Sequence, residues 1–396
     1  MAITQRVREI EESATLAIAA RARELKRSGV DVVSFSAGEP DFDTPTLIKE
    51  AAQKAIDRGE TKYTATSGIL ELKEAICRHF REKKNVDYLP QEIIVSCGAK
   101  HSLYNAIMTL CEPGDEVLLP RPFWVTYLEQ IKLAGGKPVI LDCHPEALTV
   151  SAETIEKAIT DRTTLLVLNN PVNPSGVVWP EKELLRILDL AIRHEFTVIS
   201  DEIYDSLTYD GVEVACFAAL NPEARQRTVV VNGVSKAYAM TGWRIGYAAG
   251  PREVIQAMGR LQDHMTSNPT SISQFAALAA LNCPDSIVKD MVTAFDRRRK
   301  LMISYLSRLP DVRFPLPQGA FYVFTDFSSY LALQGASGPI GNSQRLTEIL
   351  LEQAEIACVP GSAFGMEGYL RFSYATSEEN IHKGMERLTK FLRNLT

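Results

Sequence analysis

The chain has 396 residues, and at roughly 100–200 residues per domain this length favours two domains. Hydrophobic residues make up 45% of the chain and charged residues 23%, close to the average for soluble globular proteins, so disordered, collagen-like and coiled-coil proteins are excluded. Forty-three Lys and Arg against 49 Asp and Glu give a net charge of −6, the wrong sign for a protein that binds nucleic acid or anionic membrane surfaces.

Cysteine usage and the first residues bear on the compartment. The seven cysteines are odd in number, scattered and never spaced as C-x-x-C, which disfavours a disulfide framework and a zinc knuckle. Arg6, Arg8 and Glu9 stand where a secretory signal needs an apolar stretch, and no apolar run is long enough to span a bilayer. We therefore expect a cytoplasmic protein, with a transit peptide removed before the first residue as the alternative.

Helix and strand patterns alternate from about residue 46 to residue 283. Apolar residues recur three and four apart in residues 46–58 and 69–83, as in amphipathic helices. Between such helices lie short runs that are apolar on both faces, at residues 93–97, 116–120, 138–141, 164–168, 196–200, 228–232 and 244–249. Strands of this kind are usually covered on both sides, as in parallel sheets with helical crossovers. The pattern predicts an α/β fold with a mostly parallel sheet and helices on both of its faces.

The pattern changes after residue 284. A long charged helix that contains residues 296–300 is followed by a Pro-rich stretch, further strands, a Gly/Ser-rich loop and a closing amphipathic helix from residue 378. We predict a large domain over residues 45–284 and a smaller α+β domain over residues 285–396. Residues 1–44 form an N-terminal arm and complete part of the small domain in this prediction.

Common catalytic and metal-binding motifs are missing from the sequence. It has no G-x-x-x-x-G-K-[ST] loop, no G-x-S-x-G elbow and no H-E-x-x-H pair. The six histidines are isolated from one another, so a metal site built from neighbouring ligands is not expected. The chemistry must therefore come from another arrangement of polar residues.

Polar residues follow three of the predicted strands, where open α/β sheets bind ligands. Asp201 comes directly after the strand at 196–200, although a carboxylate there is also a common helix cap. Ser235, Lys236 and Arg244 follow the strand at 228–232 within a largely apolar segment, and a buried lysine is costly unless it is used. Desolvation and nearby cations lower the pKa of a lysine, which is the condition for a Schiff base with an aldehyde.

A third segment, at residues 96–108, is a small-residue turn that opens a helix after a strand. Free N–H groups at such a helix start attract anions, although an ordinary strand-to-helix turn looks the same in sequence. Taken together, the three segments offer an anion site, an amine for an aldehyde and a carboxylate for a basic ring nitrogen. These features point to pyridoxal phosphate, whose ring nitrogen must stay protonated for the cofactor to act as an electron sink.

With these residues in view, the chain resembles the fold-type I, class I aminotransferases, most closely their bacterial aspartate aminotransferase subgroup, over essentially its whole length. The resemblance is carried by seven ordered strings: SAGEPDFDTP (36–45), TKYTATSGILELKEAI (61–76), NNPVNPSG (169–176), SDEIYD (200–205), VSKAYAMTGWRIGY (234–247), PQGAFYV (317–323) and LRFSYATSEEN (370–380). Val172 and Ser175 depart from the usual S-P-N-N-P-T-G string, and Gly98 and Ala99 stand where two glycines are frequent.

The resemblance implies a role for each residue around the cofactor. Lys236 is the lysine that attaches the cofactor and acts as catalytic base, and Asp201 is the partner of the ring nitrogen. Tyr204 and Asn173 hydrogen-bond the phenolic oxygen of the ring, and Trp124 stacks on its face. The residues implied at the phosphate are Gly98, Ala99, Lys100, Ser235 and Arg244, joined by Tyr63 from a second subunit.

The resemblance also implies how substrate is held. Arg371 grips the substrate α-carboxylate by a two-pronged contact that lysine cannot reproduce, with Asn173, Trp124 and the backbone of Gly38 assisting. Lys100 approaches the distal carboxylate of an acidic substrate. Ser13 and Thr15 belong to the segment that closes over it. Tyr63 and residues 266–271 project into the partner's pocket, so an obligate homodimer with shared active sites is expected.

The function expected from this resemblance is transamination between L-aspartate and 2-oxoglutarate, giving oxaloacetate and L-glutamate through a ping-pong reaction. Prephenate or aromatic aminotransferase activity at the same site is one alternative, and a pyridoxal-phosphate-dependent carbon–sulfur lyase is another. A non-enzymatic alternative is the aminotransferase-like sensor domain of some transcription regulators. The short charged helix before residue 36 offers no DNA-binding module, which disfavours that reading.

Overall fold

The computed structural model describes residues 3–11, 14–335 and 338–395 of the chain. In these parts the helices α1 to α13 lie at Gln5–Arg8, Ala14–Arg27, Thr46–Asp57, Leu70–Lys84, Ala99–Leu110, Val125–Leu133, Ala152–Ala158, Glu181–Arg193, Arg252–Asp263, Ser271–Leu281, Ser286–Leu306, Ser343–Gln353 and Glu378–Arg393. The strands β1 to β14 lie at Val33–Ser34, Ile93–Ser96, Glu116–Pro120, Lys137–Leu141, Thr163–Asn169, Thr197–Asp201, Thr228–Gly233, Gly246–Ala249, Tyr322–Asp326, Gln334–Gly335, Gly338–Pro339, Ile356–Ala357, Val359–Pro360 and Tyr369–Ser373.

Seven of these strands form one sheet in the order β2-β8-β7-β6-β5-β3-β4. Neighbouring strands are parallel from β7 through β6, β5 and β3 to β4, whereas β8 is antiparallel to both β2 and β7. In register, Asn169 at the end of β5 lies beside Asp201 at the end of β6. The predicted α/β fold with a mostly parallel sheet is confirmed, with one strand reversed.

The reversed strand β8 places its beginning, not its end, at the edge where the parallel strands finish. It starts at Gly246, two residues later than the apolar run predicts, because Arg244 takes the left-handed conformation with φ 55°. Parallel strands bring the residues that follow them to this edge. The reversed strand instead brings Arg244, which precedes it, to the same place.

Helices cover both faces of the sheet, as the two-sided apolar runs predict. Successive residues of β3 alternate between the two faces: Val117 and Leu119 pack in one core cluster with residues of α5, α6 and α9, whereas Leu118 packs in another with residues of α7 and α8. The strands are therefore buried on both sides, and only their ends are free to present polar side chains.

A second, smaller sheet is antiparallel in the order β13-β14-β9, with Arg371 on its central strand. Near it, β1 pairs in parallel with β12, so residues of the N-terminal arm contact the C-terminal part of the chain. A core cluster joins Val33 and Phe35 to residues of α11, α12 and α13. The domain limits at residues 44 and 284 stay a prediction.

No helix in the described part of the chain is long and apolar enough to cross a membrane. Nor does any group of three or more His, Cys, Asp or Glu residues there form a cluster that could hold a metal ion. The seven cysteines all lie in described segments and are free.

Candidate active site

A cavity of about 450 Å³ lies at the carboxyl edge of the large sheet, against residues of the small sheet. It brings together twelve of the fifteen predicted site residues, which line it from elements far apart in sequence: Thr15, Gly38, Ala99, Lys100, Trp124, Asn173, Asp201, Tyr204, Ser235, Lys236, Arg244 and Arg371. These residues lie together because β5, β6 and β7 are parallel, so that their carboxyl ends all reach the same edge of the sheet.

The floor of the cavity is formed by five buried polar residues, each less than a tenth exposed: Asn169, Asn173, Asp201, Ser235 and Arg371. Hydrogen bonds link four of them, Asn169, Asn173, Asp201 and Arg371. The Asn169 side-chain amide donates to the carbonyl of Asp201 at 2.9 Å, and its oxygen accepts from the backbone N–H of Asn173 at 2.7 Å. Because these bonds are shielded from water, the floor is held in one geometry.

Asp201 lies at the end of β6 and is 2% exposed. Burial raises the pKa of its carboxyl group to about 6, against the effect of two hydrogen bonds that favour the charged form. Tyr127 donates its hydroxyl to Oδ2 at 2.6 Å, and the N–H of Ile203 donates to Oδ1 at 3.2 Å. A buried carboxylate in this position can hold a proton on a basic ring nitrogen placed against it.

Lys236 lies in the loop after β7, and its side chain lines the cavity. Its Nζ donates to the carbonyl oxygen of Gly38 at 2.6 Å and lies 5.8 Å from the centre of the Tyr204 ring. Desolvation lowers the pKa of the amine to about 8; Glu39 opposes this effect and Arg371 adds to it. Near neutral pH a useful fraction of this amine is therefore unprotonated and able to act as nucleophile or base.

Arg371 is the cation among the five floor residues, and it is 2% exposed. One terminal nitrogen donates to the Asn173 side chain and the other to the carbonyl of Ser36, each at 3.0 Å. The guanidinium also lies 4.3 Å from the centre of the Tyr322 ring, and Nε finds no hydrogen-bond partner among the described residues. No carboxylate of the described chain pairs with this buried charge, which is unusual for a guanidinium.

Four aromatic residues line the cavity: Trp124, Tyr127, Tyr204 and Tyr322. The hydroxyl groups of Tyr204 and Tyr322 share a hydrogen bond of 3.0 Å. Trp124, in the loop after β3, packs its ring edge-on against Tyr127 at 5.5 Å between centroids. The ammonium of Lys100 lies 4.8 Å from the centre of the Trp124 ring, and burial lowers its pKa.

The start of α5 forms a cradle with Arg244. The terminal nitrogens of Arg244 donate to the carbonyls of Thr241 and Cys97, which fixes its guanidinium beside the helix start. Gly98 has φ +89°, and a Cβ there would lie 2.4 Å from a terminal nitrogen of Arg244. The first N–H groups of a helix lack partners within it, so those of α5, together with Arg244 and Ser235, suit an anion.

Beneath the floor, a buried ion pair links two catalytic segments. Lys84 contacts Asp205 at 2.7 Å, and the same carboxylate accepts from the side chain of Asn232 at 2.8 Å. The oxygen of Asn232 in turn accepts from the N–H of Gly233, just ahead of Ser235. The segment after β6 and the segment after β7 are thus connected through one carboxylate.

Two of the predicted residues that the structure describes, Gly98 and Tyr63, do not line the cavity. Gly98 lies behind it, in contact with Arg244. The Tyr63 side chain is 90% exposed and does not reach this chain's own site. Ser13 lies outside the described residues.

Several residues of the site were not predicted from the sequence: Arg23, Lys26, Ser36, Glu39, Tyr127, Asn169 and Tyr322. Tyr127 had a usable signal, because it follows Trp124 by three residues at a helix start and so lies near it. Tyr322 lies in the string PQGAFYV, but nothing local indicates that its hydroxyl meets Tyr204. Tertiary packing alone brings those two rings together.

A lysine, a buried carboxylate and an anion-binding helix start at the edge of such a sheet are typical of enzymes that bind a phosphorylated aldehyde cofactor. The profile of the family described as "Aminotransferase class I and II" matches residues 30–388, so the chain belongs to this family.

Among its relatives is the aspartate aminotransferase of Geobacillus stearothermophilus, which is 44% identical over 393 residues and covered to 99% in both chains. The aspartate/prephenate aminotransferase of Cereibacter sphaeroides is 43% identical, with 98% of each chain covered. The crystal structure of the aspartate aminotransferase from Rhizobium meliloti superposes with a TM-score of 0.96 at 43% identity and covers 100% of both chains.

Enzymes of this family use pyridoxal 5′-phosphate, and the cavity fits that cofactor. Asp201 is a buried carboxylate with no cation paired to it in the described structure, as a protonated ring nitrogen requires. Lys236 supplies an amine of lowered pKa. The glycine at position 98 lets the Arg244 guanidinium approach the start of α5, because a Cβ there would lie 2.4 Å from a terminal nitrogen of Arg244. A fixed cation beside free helix N–H groups suits a phosphate.

Proposed function

We propose that the protein catalyses transamination between L-aspartate and 2-oxoglutarate, giving oxaloacetate and L-glutamate. One observation carries the proposal: the guanidinium of Arg371 is buried at the cavity floor without a carboxylate partner in the described chain. A substrate carboxylate supplies that missing charge. The relatives named aspartate aminotransferase support the choice of substrate.

Arg371 binds the α-carboxylate of the substrate through two parallel hydrogen bonds. Its fork-shaped guanidinium matches a carboxylate, whereas a lysine offers only a point charge. The Asn173 side chain already holds one terminal nitrogen at 3.0 Å, so the fork is oriented before substrate arrives. The backbone of Gly38 borders the same space and assists.

Pyridoxal phosphate, when bound, supplies the electron sink that makes the α-proton of an amino acid acidic. Lys236 would hold the cofactor through Nζ, and the same amine would serve as the base that removes the α-proton of the substrate. Asp201 would hold a proton on the ring nitrogen, and its shielding from water would strengthen that interaction. Tyr204 and Asn173 would bind the phenolic oxygen, and Trp124 would lie on the ring face.

The phosphate would be held at the start of α5. Ala99 would contribute the first backbone N–H group of the helix, beside the glycine at position 98. Ser235 contributes a hydroxyl and Arg244 a fixed guanidinium. Lys100, the second residue of this helix, is exposed, and its ammonium lies over the Trp124 ring. Its charge interacts with that of Arg244, so in this proposal it supports the cofactor as well as the substrate.

Lys100 is the proposed contact for the distal carboxylate of aspartate or glutamate, with Thr15, which lines the same cavity, and Ser13 as the proposed residues that close over it. Its ammonium lies at the cavity wall. Prephenate is the second candidate, because the relatives include aspartate/prephenate aminotransferases and a ring carboxylate suits the same cation.

The proposed assembly is a homodimer with shared active sites. Tyr63 is 90% exposed in one chain although the resemblance places it at a phosphate, so a partner's cavity is the proposed destination. Residues 266–271 reach the same partner in this proposal. Sedimentation of an active monomer at assay concentration would contradict it. The cytoplasmic location stays a prediction from the sequence.

Domain closure belongs to the same proposal. Arg371 lies on the small sheet and Lys236 follows a strand of the large sheet, so one substrate contacts both. A ligand that bridges two domains favours the closed arrangement through its additional contacts. Crystals grown with and without a dicarboxylate inhibitor are expected to differ in the angle between the domains, and identical angles would contradict closure.

The test is a substrate panel on purified enzyme loaded with pyridoxal phosphate. Aspartate, glutamate, alanine and phenylalanine are supplied as donors, with 2-oxoglutarate, oxaloacetate and prephenate as acceptors, and the products are quantified. The proposal predicts the highest kcat/KM for aspartate with 2-oxoglutarate. A preference for prephenate would establish the second candidate. Repeated release of pyruvate and ammonia from an amino acid alone would identify a lyase, because a transaminase stops after one turnover without an acceptor.

A further inference from the structure

The cavity carries a surplus of positive charge in a chain whose net charge is −6. Among the described residues that line it, two are acidic, Glu39 and Asp201. Six are cationic: Arg23, Lys26, Lys100, Lys236, Arg244 and Arg371. A surplus of one sign in a concave site focuses the field toward ligands of the opposite charge.

Four of the six cations have proposed roles at the cofactor or the substrate. Arg23 and Lys26 have none, and both come from α2. Both side chains are exposed, and neither takes part in an ion pair within the described parts of the chain. Arg21 differs, because it pairs with Glu24 at 2.7 Å on the same helix. The two unpaired charges are therefore available to molecules that approach the cavity.

The cavity-lining residues of α2 form one helical face, which we name the mouth: Thr15, Leu16, Ala19, Ala22, Arg23 and Lys26. Their spacing of three and four residues is that of a single side of a helix. Ala22 anchors this face against Val32, Leu351 and Ala357 in a small core cluster. The anchoring fixes the direction in which Arg23 and Lys26 point.

We propose that Arg23 and Lys26 form an anion-attracting mouth that favours substrates according to their net negative charge. The proposal deepens the proposed function, on which it rests, by adding a second, outer selection for dicarboxylates. This outer selection is separate from the proposed contact of Lys100 with a distal carboxylate. A cation in the last turn of a helix also stabilises the helix. The experiment must therefore distinguish this structural role from the attraction of anionic substrates.

The selection depends on charge rather than on shape. Near neutral pH, 2-oxoglutarate carries two negative charges, pyruvate carries one, and alanine is neutral overall. A positive potential raises the local concentration of an anion in proportion to the exponential of its charge, and salt screens the effect. Removal of two mouth charges is therefore expected to affect the three substrates in that order.

The experiment compares the double variant R23Q/K26Q with wild-type enzyme in single half-reactions, at low and at high ionic strength. At low salt we expect kcat/KM for 2-oxoglutarate to fall about fivefold, with about a twofold fall for pyruvate and no change for alanine. In high salt the differences are expected to vanish. Succinate, an unreactive dicarboxylate, provides a readout without turnover, and its affinity is expected to fall about fivefold as well.

The matched control is the double variant R21Q/R27Q, which removes the same charge from the same helix outside the mouth. Its kcat/KM for 2-oxoglutarate is expected to stay within about twofold of wild type, because exposed charges farther from the site are screened. An equal fall in both double variants, or equal falls for 2-oxoglutarate and pyruvate, would overturn the proposal. Failure of the proposed function would show instead in the wild-type enzyme, as absence of transamination with aspartate.

Discussion

The floor and the mouth of the cavity are built in opposite ways. The floor consists of residues less than a tenth exposed, which follow strands or lie on them, and hydrogen bonds link four of the five. The mouth is one face of a helix whose cations, Arg23 and Lys26, are exposed and unpaired among the described residues. Buried bonds fix geometry, whereas exposed charges act at a distance and tolerate motion.

The difference separates two tasks. Proton transfer requires atoms held within hydrogen-bond reach, which the floor provides. Discrimination among amino acid and oxo acid substrates that differ in their side chains requires only a difference in binding free energy. Lys100 at the cavity wall and the residues of the mouth can supply that difference. We therefore expect substitutions in the floor, and substitution of Lys236, to reduce turnover for every substrate, whereas substitutions at Lys100 and in the mouth should change the ranking of substrates.

The largest effect is expected for Lys236→Ala. Loss of the amine removes both the attachment of the cofactor and the base, so kcat is expected to fall at least about 10⁴-fold. Borohydride treatment followed by mass spectrometry should no longer fix pyridoxal phosphate to the chain. Near-normal kcat with every donor would show that the base lies elsewhere.

A large effect is also expected for Asp201→Ala. An unprotonated ring nitrogen cannot take up negative charge, so kcat is expected to fall about 10²–10³-fold. Cofactor affinity, measured by equilibrium dialysis, is expected to weaken too. The loss should be the same for aspartate and alanine because the floor serves every substrate. A loss confined to acidic donors would place Asp201 among the specificity residues and break the comparison.

Arg371→Lys keeps the charge but removes the fork. We expect kcat/KM to fall about 10²-fold, the value of one to two charged hydrogen bonds, for donors with and without a distal carboxylate. Steady-state kinetics with aspartate and alanine measure both. Arg371→Ala should lose more than Arg371→Lys, and equal losses in the two variants would show that charge alone matters at this position.

Lys100→Ala tests the wall between floor and mouth. KM for aspartate is expected to rise by an amount equivalent to about 1.5–3 kcal/mol, with a much smaller change for phenylalanine. Lys182→Ala is a matched control, because Lys182 is likewise the second residue of its helix but does not line the cavity. Similar losses for acidic and apolar donors would assign Lys100 to the cofactor or to the fold.

The smallest effect is expected for Tyr127→Phe. Its hydroxyl favours the charged form of Asp201 and so opposes the rise in pKa that burial causes. Without it, the pKa of Asp201 should rise from about 6 by about one unit, since one charged hydrogen bond is worth about 1.5–3 kcal/mol. As the pH is lowered, the variant apoenzyme should therefore begin to lose affinity for the cofactor at a higher pH than the wild-type apoenzyme. An unchanged pH profile would remove Tyr127 from the site.

Most of the fold follows from the sequence because the strands of the large sheet are apolar on both faces. The run at 116–120 coincides with β3, and that at 69–83 with α4 to within one residue. The reversal of β8 was not predicted, because a strand buried on both faces has the same pattern in either direction. Backbone direction is set by the loop before it, where Arg244 has a positive φ.

The residues of the site also fall into two groups, those that were predicted from the sequence and those that were not. Lys236, Asp201 and Arg371 were predicted because their residue types suit the chemistry and their strings resemble a known family. Tyr127 and Tyr322 were missed because a tyrosine in an apolar stretch is usually part of a core. Arg23 and Lys26 look in sequence like ordinary solvent-exposed charges. Only the direction of one helix face distinguishes them.

The reversed strand has a consequence for how the site assembles during folding. β7 and β8 are antiparallel neighbours joined by residues 234–245, and this one connection carries Ser235, Lys236 and Arg244. Contacts within such a hairpin are close in sequence, so they form at a lower entropic cost than contacts between distant strands. Gly246 then admits the start of α5, where a Cβ would lie 2.1 Å from the Ala99 nitrogen. The amine and the cradle arginine can thus be positioned together as a local unit, before Arg371 arrives from more than a hundred residues away.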